Sequence, residues 1–190
     1  MAGTLSVQKI QGLATSATPT TVEIASGHKL TGAAGSIVAP GQVIQTLQVV
    51  DEASATTTSG TFVTTPLSLA ITPSSTSSKI LISTTFMMGF STSDQTPSFT
   101  LYRGSSNLSG AGATAFTTNG SSGGDMNSTD QYRLRQAAIT YLDSPNTTSA
   151  TTYAVYMKTT GGQAARFNIN RQGESGSIHT AVMILQEIAG

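Results

Sequence analysis

From Gln42 onward the chain is written in short runs whose apolar side chains recur at every second position, each run closed by a cluster of Gly, Pro, Asn, Asp or Ser. Period two is the geometry of a strand with a buried face, because successive side chains leave an extended backbone on opposite sides. Between the runs no stretch carries the helical period, so the spacing predicts an all-β domain, an antiparallel sandwich or barrel, rather than βαβ units. The expected strands are 42–50, 61–71, 79–87, 98–103, 111–117, 131–142, 151–158, 164–170 and 177–188.

The same period assigns faces. In FTLYRG, Phe99 and Leu101 share one side with Arg103, and Thr100 and Tyr102 take the other. In TTYAVYMK, Tyr153, Val155 and Met157 oppose Ala154, Tyr156 and Lys158, and in HTAVMILQEIAG, Val182, Ile184 and Ile188 oppose Ala181, Met183 and Leu185. The last run is short enough to read as a helix as well, but the β-rich context and the preceding GESGS turn favour a central strand. Apolar residues on both faces of these two runs exceed the needs of one small sandwich, and this leads to the expectation of a homotrimer that buries strand faces between subunits.

Composition narrows the reading. Only 9% of residues are charged while Ser and Thr supply 57 of the 190, so the polar surface is made of hydroxyls. Such a composition first suggests disorder. The 37% of hydrophobic residues, gathered into alternating runs, argue against it. Nine basic residues balance nine acidic ones, which gives no field toward phosphate backbones or anionic lipid, and no nucleic-acid partner is expected. Without cysteine there is neither disulfide nor thiolate metal site. The opening MAGTLSVQKIQG lacks the basic and apolar regions of a secretory signal, and no apolar run is long enough to span a bilayer as a helix.

Residues 1–40 differ from 41–190. Their apolar triplets, in LSVQKI, TVEIASG, HKLTG and SIVAPG, are each too short to enclose a core. The expectation is an extended N-terminal shaft or anchor, either three copies wound about one axis or an arm lying on another protein, ahead of a sandwich head over 41–190.

The stretch GTLSVQKIQGLATSATPTTVEIASGHKLTG resembles the N-terminal segments of bacteriophage tail-fibre and virion structural proteins, those of marine cyanophages in particular. Downstream, FVTTPLSLAITPSSTSSKILI, FTLYRGSSNLSG and YLDSPNTTSATTYAVYMKTTGG are similar to the small C-terminal domain of many such proteins. The resemblance implies a jelly-roll-like head on a trimeric axis, assembled in the host bacterial cytoplasm and carried in the virion. Its partners would be its own copies, other proteins of the tail or capsid and a host-surface glycan, with no cofactor and no membrane insertion. A short fibre contributing to adhesion is the leading expectation, a capsid decoration or cement protein the alternative, and a surface-glycan hydrolase the remote one.

The residues that carry chemistry are sparse. His28 and His179 are far apart and have no partner at ligand spacing. GESGS lacks the closing glycine of a nucleophile elbow, and the Gly-rich stretches lack the Gly-Lys-Ser/Thr ending of a phosphate loop. Asp125 and Asp130 lie within one loop and could flank a sugar as paired carboxylates, but solvated turn-forming aspartates explain them better. The long polar loop 117–132, with Asn119, Asp125, Asn127 and Asp130 able to hydrogen-bond sugar hydroxyls, is the candidate receptor- or glycan-binding element.

Overall fold

The structure, a computed structural model, describes residues 26–27, 37–90, 97–110, 116–118, 134–159, 164–169 and 179–190. The chain divides into two units, Met1–Ile37 and Val38–Gly190. In the first, only Ser26, Gly27 and Ile37 are described. The second holds every described strand: β1 (Val43–Asp51), β2 (Ala55–Thr57), β3 (Val63–Ile71), β4 (Lys79–Phe90), β5 (Ser98–Arg103), β6 (Ser106–Asn107), β7 (Thr117–Thr118), β8 (Arg135–Asp143), β9 (Thr151–Lys158), β10 (Ala165–Phe167) and β11 (Ala181–Ile188). No helix occurs among the described residues.

These strands form two sheets in which every pairing is antiparallel. Sheet A runs β8–β4–β11–β1. β10 continues the line of β11 along the same edge of β4, and β2 lies beyond β10 as β1 lies beyond β11. Sheet B runs β3–β9–β5, with the short β6 and β7 sharing the far edge of β5. In chain order, β1 pairs with β11, β3 with β9, β4 with β8, and β5 with β6 and β7. This nesting is a long hairpin folded over on itself, with its strands passing between two sheets, which is the jelly roll.

The alternation read from the sequence places the core. Ile80, Ile82, Phe86 and Met88 of β4, Ala137 and Ile139 of β8, and Ala181, Met183 and Leu185 of β11 face Leu67 and Ile71 of β3, Phe99 and Leu101 of β5, and Tyr153, Val155 and Met157 of β9. Phe86 sits between Phe99 and Phe167, at centroid distances of 5.0 and 5.3 Å. One expectation is corrected here. Tyr153, Val155 and Met157 are at most 1% exposed because the sandwich interior itself covers them, so that strand face is not left over for a neighbouring subunit.

Two local devices hold the sheets. Between Thr64 and Ser68 the register of β3 against β9 shifts, and Pro66, with no N–H to donate, sits in the irregular stretch. Thr65 repairs it: its hydroxyl donates to the Val155 carbonyl at 2.9 Å and accepts from the Leu67 N–H. At the other device, Asn168 adopts a positive φ of 55° just after β10. From there its side-chain oxygen accepts the Met87 N–H, and its own N–H donates to the Met87 carbonyl. Gly89 belongs to the same corner, since a Cβ there would collide with the Ile169 carbonyl.

Candidate assembly surface

The two sheets differ on their outer faces. On sheet B, Tyr102 and Tyr156 stack at 3.9 Å, Phe62 meets Tyr102 edge-on, and the Lys158 ammonium lies 4.6 Å over the Phe62 ring. Beneath these rings Thr100 and Ala154 are buried although they point outward. Over β5 and β9 sheet B thus carries aromatic side chains of its own domain, while the outward residues Thr64, Pro66, Ser68 and Ala70 of β3 are exposed.

Sheet A does not. Following the register across β8, β4, β11 and β1, its outer rows read Leu142–Leu81–Gln186–Thr46, Thr140–Ser83–Ile184–Gln48 and Ala138–Thr85–Val182–Val50. Leu142 is 47% and Val50 52% exposed. Small residues at the centre leave a shallow depression lined by Ser83, Thr85, Ala138, Thr140, Val182 and Ile184. Among the described residues of the three rows none is charged; Lys79 stands at the rim, opposite Ile188. A face without charge brings no like charges together when copies meet, and its Thr, Ser and Gln side chains would need hydrogen-bond partners once dehydrated.

The edges differ as well. β3 is broken by its irregularity at Pro66 and β1 by a register shift between Val43 and Gln45, while β2, β6 and β7 are two or three residues long. β8 holds nine residues in uninterrupted register with β4 and contains no proline or lysine. Among the described residues no strand pairs with its other edge.

Buried ionisable groups lie at one end of the sandwich. Asp143 and Glu187 are opposite Ile80 from its two sides, both directed inward. Asp143 accepts from Arg103 Nη1 at 2.9 Å and from the Tyr153 hydroxyl at 2.7 Å, and so ties sheet A to sheet B. Burial first, and then the bond to the Asp143 carboxylate, push the Tyr153 phenol far above its ordinary range. Burial raises the Glu187 carboxyl, but hydrogen bonds from the Ser74 hydroxyl, the Gln45 amide and the Ser74 N–H outweigh it and hold the group below the usual carboxylate range. These contacts engage both carboxylates as structural acceptors. Their positions were legible, since each continues the inward parity of an apolar strand, yet their partners lie far along the chain.

The candidate residues Asn119, Asp125, Asn127 and Asp130 lie outside the described residues, as does His28. His179 stands two residues before β11. Among the described residues no three His, Cys, Asp or Glu side chains gather as a metal site.

No family model and no curated protein sequence matches the chain. Solved structures similar to it include the VP2 subviral particle of infectious bursal disease virus, at 13% identity and a TM-score of 0.37, covering 90% of this chain and 45% of that one. Others are the T=1 particles derived from infectious bursal virus, at 13% identity and a TM-score of 0.34 over 85% of this chain and 40% of that one, and the Gt strain of infectious bursal disease virus, at 12% and 0.35 over 85% and 42%. The chain spans less than half the length of each of these proteins.

Proposed function

We propose that this chain is a non-enzymatic structural protein of a virus particle, a short fibre whose jelly-roll head assembles as a homotrimer through the outer face of sheet A. The observation that carries the reading is that face: uncharged across its described rows and carrying Leu142 and Val50 about half exposed. Support also comes from the topology, an architecture used by viral capsid and lectin domains, and from the resemblance of the sequence to phage fibre proteins. In this reading residues 1–40 attach the head to the tail or capsid, and loop 117–132 meets a host-surface glycan. Weak sites repeated on a trimer and on many fibres then raise avidity without new contacts.

Sedimentation of the purified chain at micromolar concentration tests the assembly. The expected species is a trimer. Ile184→Asp, on the outer face, should lower the oligomer while leaving the β-sheet circular dichroism intact. A folded wild-type monomer would overturn the reading. A capsid decoration protein is the second reading, favoured by the far edge of β8, with which no described strand pairs. Labelling the C-terminus in intact particles separates the two, since label confined to the tail excludes decoration.

A further inference from the structure

Phe62, Tyr102 and Tyr156 take no part in the core; they lie half-buried on the outer face of sheet B. Two hydrogen-bond donors stand on either side of the tyrosine pair. Asn107 of β6 is opposite Tyr102 on the far side of β5. Its side-chain oxygen accepts from the Thr100 hydroxyl at 2.8 Å and from the Ser109 N–H and hydroxyl at 3.0 and 2.9 Å. A backbone N–H can only donate, so the oxygen is fixed on that side and the amide NH2 is turned away from it, with no acceptor among the described residues. Lys158 lies two residues beyond Tyr156 on the same face, its ammonium 4.6 Å over the Phe62 ring. The ring orients the ammonium without neutralising it, and among the described residues no carboxylate pairs with it.

This arrangement selects one kind of ligand. β9 is paired on both sides, and β6 and β7 occupy the far edge of β5, so the face offers a peptide no strand edge to extend. A nucleic-acid strand needs a track of cations beside its stacked bases, and Lys158 is the one cation among the outward residues of β5 and β9. Rings between two fixed donors match a sugar: the C–H face of a pyranose packs on an aromatic surface while its oxygens accept at the rim. We propose that the outer face of β5 and β9 binds a glycan bearing a sugar carboxylate, its pyranose ring against Tyr102 and Tyr156, the carboxylate at Lys158 and a neutral oxygen at the Asn107 amide. The site uses no residue of loop 117–132 or of the outer face of sheet A, and so extends the adhesion reading without depending on the trimer.

Frontal affinity chromatography of the full chain on immobilised tetragalacturonate, sialyllactose and neutral maltotetraose tests this. The wild type is expected to be retained by at least one acidic sugar and about ten-fold less by the neutral one, the loss that follows when a charge-assisted hydrogen bond is missing. Lys158→Gln should remove that preference. Asn107→Asp keeps the acceptor for Thr100 and Ser109 but replaces the donor with a negative charge, and should weaken acidic-sugar binding at least as much. Circular dichroism checks that both variants keep the sheet. No retention on either acidic sugar, or retention that survives Lys158→Gln, overturns the proposal; in the second case another part of the chain holds the sugar. Sedimentation of the same samples reads the trimer separately, so failure of the site and failure of the assembly are told apart.

Discussion

Replacing Asp143 with Ala removes the one acceptor that closes the Tyr153 hydroxyl, and Tyr153 is fully buried. A buried donor left without a partner costs about 1–3 kcal/mol. The Arg103 side chain is 32% exposed and retains a bond to the Ser144 carbonyl, so losing its ion pair adds less than about 1 kcal/mol after screening. The expected sum of about 1–4 kcal/mol is a sizeable part of the roughly 5–15 kcal/mol that holds a domain folded. Tyr153→Phe leaves no orphan donor and should cost only about 1 kcal/mol. In the double variant the orphan is gone, so it should be about 1–2 kcal/mol less destabilised than the two singles summed. Urea denaturation at fixed protein concentration reads this, with a midpoint shift of about 0.5–2 M for Asp143→Ala at a slope of roughly 2 kcal/mol per molar. Strict additivity of the singles, or a shift below about 0.3 M for Asp143→Ala, would refute the reasoning.

Two further tests address single groups. Glu187 has its folded-state pKa below its unfolded one, so its contribution is fully present above the unfolded value of about 4.3 and is lost as pH falls through the lower folded value. Glu187→Gln should therefore flatten stability against pH in that acidic window, and an unchanged slope would show the hydrogen bonds to be ineffective. The Thr84 hydroxyl is buried in the sandwich with no partner among the described residues; Thr84→Val should raise stability by up to about 1 kcal/mol in the same urea assay, and a loss would mean that the hydroxyl is satisfied.

The alternation made much of the fold legible because burial follows side-chain parity directly. β5 and β9 fall where 98–103 and 151–158 were expected, and the face shared by Phe99, Leu101 and Arg103 is the inward one. β11 is a central strand between β1 and β4, as the β-rich context and the preceding GESGS stretch favoured. β2, β6 and β7 were not legible, since two or three residues carry no measurable period. Parity also could not say what covers each face. Val155 and Ile184 look alike in sequence, yet one lies in the sandwich interior and the other on the outer surface of sheet A. The Arg103, Asp143 and Tyr153 clamp joins three strands of two sheets, and no spacing encodes a meeting of that kind.

The pairing of β1 with β11 has a consequence for how the head is made. Residues 43–51 leave the ribosome long before 181–188, and until those arrive β1 has no neighbour among the described strands of sheet A and Lys79–Thr85 of β4 lack their partner on one side. Local contacts cannot close this fold early, so it belongs to the slower, long-range class of folding reactions. A chain broken off before β11 has no continuous sheet A, because β11 is the strand that joins β1 to β4. If copies assemble as proposed, only a head translated through β11 would offer the outer face of sheet A.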